Sequence, residues 1–100
     1  MRLNTDQIQA IRYAAKTSFG DEAAVWLFGS RVDDAKKGGN IDLLVRPAPA
    51  VADQLFPKKI HMLTLLERLL GERQIDLVIE QPNDSRSIVA VAHATGIQIQ

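Results

Sequence analysis

Hydrophobic and polar positions along the chain follow two different periods. Ile8, Ile11, Ala15 and Phe19, with Ala14 beside them, recur at the three- and four-residue spacing of one helical face. Asn4 or Thr5 can cap that helix, Gln7 stands three residues after Asn4 in capping-box spacing, and Gly20 stops it. Ala23 to Phe28 is instead a short unbroken apolar run rich in Val, Trp and Phe, which suits a strand buried on both faces. Ile41 to Val45 and Ile75 to Ile79 predict two further strands, and Pro47 and Pro49 break regular structure after the first of these. Pro57 suits the first turn of a second long helix. Its apolar stripe reads Ile60, Leu63, Leu66 (or Leu65), Leu69 and Leu70, and Gly71 ends it. Pro82, Asn83 and Asp84 form a turn. Ser85 is then the expected cap of a last helix through Ile88, Val91, Ala92 and Thr95, closed by Gly96. Ile97 and Ile99 alternate with glutamines and predict a terminal half-strand.

The order helix, strand, strand, helix, strand, helix predicts an α/β (or α+β) fold, a small mixed sheet with helices packed against it. One hundred residues suit a single domain with one core, spanning 1–100. Between the first two strands, Arg31 to Gly39 is polar and charged and ends in Gly-Gly, so it begins as a helical turn at best and finishes as a loop. Twelve basic and twelve acidic side chains cancel, which argues against a duplex-DNA binder, since those rely on basic excess to neutralise phosphates. Without cysteine there is no disulfide framework and no thiolate zinc site. Polar Asn4, Thr5 and Asp6 follow Met1-Arg2 in place of a signal-peptide core, and no apolar stretch nears the roughly 20 residues that cross a bilayer. A soluble protein of the cytoplasm, with no membrane contact, is expected.

Candidate chemistry begins with a short internal echo. Ile41-Asp42-Leu43 and Ile75-Asp76-Leu77 are the same tripeptide, each inside a predicted strand. A carboxylate in an apolar strand needs a cation or hydrogen-bond donors to remain ionised. If the two strands are neighbours in similar register, Asp42 and Asp76 converge on one face, and Asn40 shares the face of Asp42. Those oxygens suit a hard divalent cation such as magnesium. The plainer reading places each aspartate at a strand end, bonded to loop amides or an arginine. Gly29-Ser30, after the Trp26-Leu27-Phe28 strand, is open to two readings as well. A glycine there lets backbone approach an anionic ligand closely, with the Ser30 hydroxyl as an added donor, or the pair simply caps a helix after a tight turn.

Taken together these features are more specific. Phe28-Gly29-Ser30-Arg31-Val32, a loop of nine residues, Gly38-Gly39-Asn40-Ile41-Asp42-Leu43-Leu44-Val45 and the later strand aspartate Asp76 resemble the DNA polymerase beta-like nucleotidyltransferase superfamily. The likeness is greatest to its minimal members, stand-alone domains often paired with a HEPN-domain partner as toxin and antitoxin. The resemblance implies the nucleotidyltransferase fold and a metal-dependent transfer of a nucleoside monophosphate, AMP from ATP (or from another NTP), onto the partner protein. It implies magnesium (or manganese) held by Asn40, Asp42 and Asp76 as the catalytic set, and a triphosphate gripped by Gly29 and Ser30 with Arg31 beside them. Position 40 departs from the family pattern, because Asn stands where the motif has Asp. Three carboxylates become two, so weaker metal occupancy and slower transfer are expected. The alternative is a nucleotidyltransferase-fold binding module that neutralises or scaffolds a HEPN-type partner by contact alone.

The remaining residues add less. Arg31, Lys36 and Lys37 can reach triphosphate oxygens or can be solvated loop charges. His61 and His93 lack metal-ligand spacing and read as surface or packing residues, while Trp26 reads as core. An edge strand at Ile97 to Ile99 invites pairing with a partner or with a second copy as a homo-oligomer.

Overall fold

A computed structural model of the chain describes residues 3–29, 40–51 and 53–100. The first helix, α1 (Thr5–Phe19), starts at a complete capping box. The Asn4 side chain accepts from the Gln7 amide at 2.8 Å and the Gln7 side chain accepts from the Asn4 amide at 2.9 Å. Asp6 in the first turn and Lys16 in the last complement the helix dipole. Ile11, Ala14, Ala15, Ser18 and Phe19 are its buried line, and the helix ends at Gly20.

Among the described residues four strands follow the expected apolar runs: β1 (Ala24–Phe28), β2 (Ile41–Arg46), β3 (Ile75–Ile79) and β4 (Ile97–Gln98). Their order in the sheet is β3-β2-β1-β4. β1 pairs antiparallel with both β2 and β4, whereas β2 and β3 run parallel, so the sheet is mixed. The fold is α+β, as expected. The terminal half-strand exists and is extended past its two residues by bonds from the Ile99 amide to the Val25 carbonyl and from the Val25 amide to the Gln100 carbonyl.

Side chains alternate along each strand, so the sheet has two different faces. One face presents Val25, Leu27, Ile41, Leu43, Val45, Leu77 and Ile79 to the buried residues of α1 and of α2 (Leu55–Leu70), and this is the main core. The opposite face carries Trp26, Phe28 and Leu44, which pack against Val89 and Ala92 of α3 (Ser87–Thr95). Among the described residues, two long helices thus cover the first face, while a single short one covers part of the second.

Two details of the helices differ from the sequence expectation. α2 begins two residues before Pro57, which keeps the proline in the first turn, where a missing amide costs nothing. Its buried line is Met62 and Leu66, with Leu63, Leu65 and Leu70 half-buried, while Ile60 and Leu69 are 47% and 48% exposed. Apolar residues occupy most of the circumference of α2, so periodicity alone does not select the buried line. Packing against both α1 and β3 does. The second difference concerns α3. Ser85 does not cap it: the N-cap is Arg86, without a side-chain bond, and Val89 and Ala92 are buried rather than Ile88 and Val91.

Asp84 organises that turn instead. Its carboxylate accepts from the Gln81 amide at 3.0 Å, the Arg86 amide at 3.1 Å and the Arg86 guanidinium at 2.6 Å. Arg86 in turn donates to the Ile79 carbonyl at 2.7 Å, which ties the turn to the end of β3. Charge-assisted bonds of this kind are stronger than a serine hydroxyl can offer, and the Asp84 side chain is only 4% exposed. Among the described residues, no helix is long and apolar enough to cross a membrane.

The Arg86 guanidinium, followed by the Gln81 amide, holds the Asp84 carboxyl well below the usual carboxylate range. A depressed folded-state pKa contributes stability above the unfolded value of about 3.9 and loses it as pH falls through the folded value. Asp84→Asn is therefore expected to lower Tm by several degrees at pH 7. The gap from the parent should close progressively below about pH 4, read by thermal melts across a pH series.

Candidate functional site

The candidate site lies on the second face of the sheet, at the end where β1 finishes and β2 and β3 begin. In the β1–β2 ladder Phe28 is opposite Asp42, and in the β2–β3 ladder Asp42 is opposite Asp76. Directly paired residues point to the same face, so the twin Ile-Asp-Leu tripeptides bring their two aspartates side by side. α3 covers Trp26, Phe28 and Leu44 but leaves this end open: Asp76 is exposed and Asp42 half-buried.

Asn40 joins the pair. It precedes β2, and its side-chain amide donates to Asp76 Oδ2 at 2.7 Å. The arrangement sets two like charges against each other. Burial, a hydrogen bond shared with Asp76 and the negative charge of Asp76 together push the Asp42 carboxyl above its ordinary pKa. Among the described residues neither aspartate makes an ion pair with a basic side chain.

Gly29 completes the site, for a reason the sequence did not suggest. Its φ is +74°, a left-handed conformation that side chains resist, and a β-carbon there would overlap Asp42 Oδ2. The glycine is thus required by the close passage of the chain over the Asp42 carboxylate. A close passage over a ligand remains compatible with that geometry. Ser30, Arg31, Lys36 and Lys37 lie outside the described residues.

Asn40, Asp42 and Asp76 offer oxygen atoms only, which is the donor chemistry of magnesium, manganese or calcium rather than zinc. Two adjacent carboxylates, with the Asp42 carboxyl pushed toward its neutral form, fit one such ion. Among the described residues no group of three or more His, Cys, Asp or Glu side chains could hold a metal, because the third member of this set is an amide.

Three other sequence candidates have structural partners. His61 bonds the buried Ser18 across the α1–α2 contact at 3.0 Å. His93 meets Glu80 at 2.7 Å and stands edge-on to Trp26, with ring centroids 4.5 Å apart. Trp26 is core, 8% exposed, and the Arg46 guanidinium lies 4.8 Å from its ring. This second polar group sits on the same face as the aspartates but at the far ends of β2 and β3. Only the tertiary fold brings it together, and no spacing in the sequence announces it.

Compared with known proteins, the chain matches no family profile and no curated protein.

Two substitutions test the geometry. A raised folded-state pKa means that ionised Asp42 opposes folding once pH exceeds its folded value, an effect absent below the unfolded value near 4. Asp42→Asn is thus expected to melt higher than the parent at pH 7 in the presence of chelator, with the advantage disappearing toward pH 4. Gly29→Ala should destabilise by about 1–3 kcal/mol in urea unfolding, from left-handed backbone and from contact with Asp42.

Proposed function

We propose that the chain is a nucleotidyltransferase-type domain of the cytoplasm that binds ATP (or another NTP) with magnesium or manganese at the Gly29–Asp42–Asp76 end of its sheet. There it transfers a nucleoside monophosphate to a partner protein, in the manner of an antitoxin acting on a HEPN-type toxin. The observation that carries the reading is the register of β2 and β3. It sets Asp42 beside Asp76 on an open face, directly under the Gly29 turn.

Each residue has a distinct part. The Gly29 turn lets main chain approach an anion closely. Asp42 and Asp76 hold the divalent ion, and their mutual repulsion favours its binding. Asn40 fixes the orientation of Asp76 through its amide. In the transfer an acceptor hydroxyl oxygen forms a bond to the α-phosphorus, the bond to the bridging oxygen of the β-phosphate breaks, and pyrophosphate leaves as the hydroxyl gives up its proton. The ion supplies charge neutralisation on the triphosphate, and the protein chiefly positions the reacting groups.

A second reading has its own supporting observation. The Asn40 amide already gives Asp76 a hydrogen-bond donor, partly replacing a cation. That favours a binding module of the same fold, which neutralises or scaffolds a HEPN-type partner by contact.

Calorimetric titration with ATP, in magnesium and then in chelator, separates the two. The nucleotidyltransferase reading expects magnesium-dependent binding. It also expects Asn40→Asp to tighten that binding about tenfold, close to 1.4 kcal/mol, as a third carboxylate joins the pair. Magnesium-dependent transfer to a purified HEPN-type partner should rise in the same variant. Absence of ATP binding in both proteins would leave the contact-only module.

A further inference from the structure

Among the described residues β3 is an edge strand of the sheet. The Ile41 amide bonds the Gln74 carbonyl and the Glu80 amide bonds the Val45 carbonyl, so the even-numbered residues of β3 turn their backbone toward β2. Ile75, Leu77 and Ile79 then turn theirs outward. Arg86 takes the outward Ile79 carbonyl, and the rest of the row is a template for one more strand.

The flank beside this edge carries opposite charge at its two ends. α2 runs antiparallel to β3: Leu63 and Glu67 border a cavity with Ile75, whereas Leu55, Phe56 and Lys59 border another with Leu77 and Ile79. The cavity at the start of β3 holds Glu67 and Glu72 against Arg73, and is acidic on balance. The cavity at the end of β3 holds Lys59 and Arg86, and Arg86 is already neutralised by Asp84 at 2.6 Å. Glu80 takes no part, because it lies on the opposite face with His93 and Arg46. That end is therefore basic on balance. Among the described residues Lys59, Glu67 and Glu72 make no ion pair. Phe56, in the basic cavity, is 72% exposed, the most exposed of the large apolar side chains.

We infer that this flank is the interface between two copies of the chain, related by a two-fold axis at Leu77. Parallel pairing of two such edges would align like ends, whereas antiparallel pairing sets each end against its opposite. Glu67 and Glu72 of each copy then meet Lys59 of the other, on both sides of the axis. Phe56 of each copy is carried to the Leu63–Ile75 cavity of the other and leaves solvent. Leu77 exchanges both main-chain bonds with Leu77 of the second copy, and each Ile79 amide reaches an Ile75 carbonyl, so Arg86 keeps the Ile79 carbonyl. Charge also selects the register. A ladder centred on Leu77 places Asp76 opposite Val78 of the second copy. One centred on Asp76 would set the two Asp76 carboxylates directly against each other, a destabilising pair. The edge is thus complementary to itself in charge, apolar contact and main-chain groups. The interface stands whether or not the site binds nucleotide.

Light scattering over a dilution series tests it. The average mass should rise from the 11.0 kDa of one chain toward twice that value between about 10 μM and about 1 mM. Amide exchange at Leu77 and Ile79 should slow over the same range, with Gln98 on the other edge of the sheet unchanged. Lys59→Glu reverses two symmetry-related contacts and should weaken association by about tenfold. The double variant Lys59→Glu, Glu67→Lys restores opposite charges across the axis and should return association to within about twofold of the parent. That recovery separates a lost contact from a damaged fold. A chain that stays monomeric at millimolar concentration leaves the edge to another polypeptide and overturns the proposal. So does a dimer whose protection falls on β4, or one that is indifferent to Lys59→Glu, or a double variant no better than the single one.

Discussion

The parallel pairing of β2 with β3 holds together two carboxylates that electrostatics would separate. Ile41, Leu43 and Val45 on the buried face of β2, with Leu77 and Ile79 on β3, lock that register against α1 and α2. Because side chains alternate, a slip of one residue would turn every one of these apolar groups to the opposite face. The core is therefore what keeps Asp42 beside Asp76. The strain at the open end is maintained by hydrophobic burial on the other side of the same strands.

The two faces divide the work of the sheet. The face under α1 and α2 is continuous and apolar and supplies most of the burial. Among the described residues the face under α3 is only partly covered, and polar groups collect on it at both ends: Asn40, Asp42 and Asp76 at one, Arg46, Glu80 and His93 at the other. Between them Trp26, Phe28 and Leu44 form a small apolar saddle on which α3 rests. Such a layout lets a chain of this size carry exposed chemistry without opening its core.

Much of this was legible in the residues. The α1 cap, the strand runs and the terminal half-strand are local signals, written in a few neighbouring positions each. The paired aspartates were legible for a different reason. Identical tripeptides in two neighbouring strands need only a shared register to meet, and the apolar residues around them specify that register. What was not legible depended on contacts between distant elements. The buried line of α2 is chosen by α1 and β3 from a helix whose apolar residues span most of its circumference. The α3 turn belongs to Asp84 and not to Ser85, because Arg86 reaches back to the Ile79 carbonyl, a contact that exists only once β3 has formed. Gly29 was recognised as a place of close approach, but the group it approaches is the chain's own Asp42.

Trp26, the single tryptophan of the chain, gives the α3 saddle an optical consequence. Its indole lies beneath α3, edge-on to the His93 ring and within reach of the Arg46 guanidinium. Lifting α3 would remove the histidine and admit water to the indole, while α1, α2 and the main core stayed closed. Intrinsic fluorescence from this chain therefore reports the seating of one short helix before it reports global unfolding. Emission and far-ultraviolet circular dichroism are thus two separate gauges, and a difference between their transitions would measure how independently α3 moves.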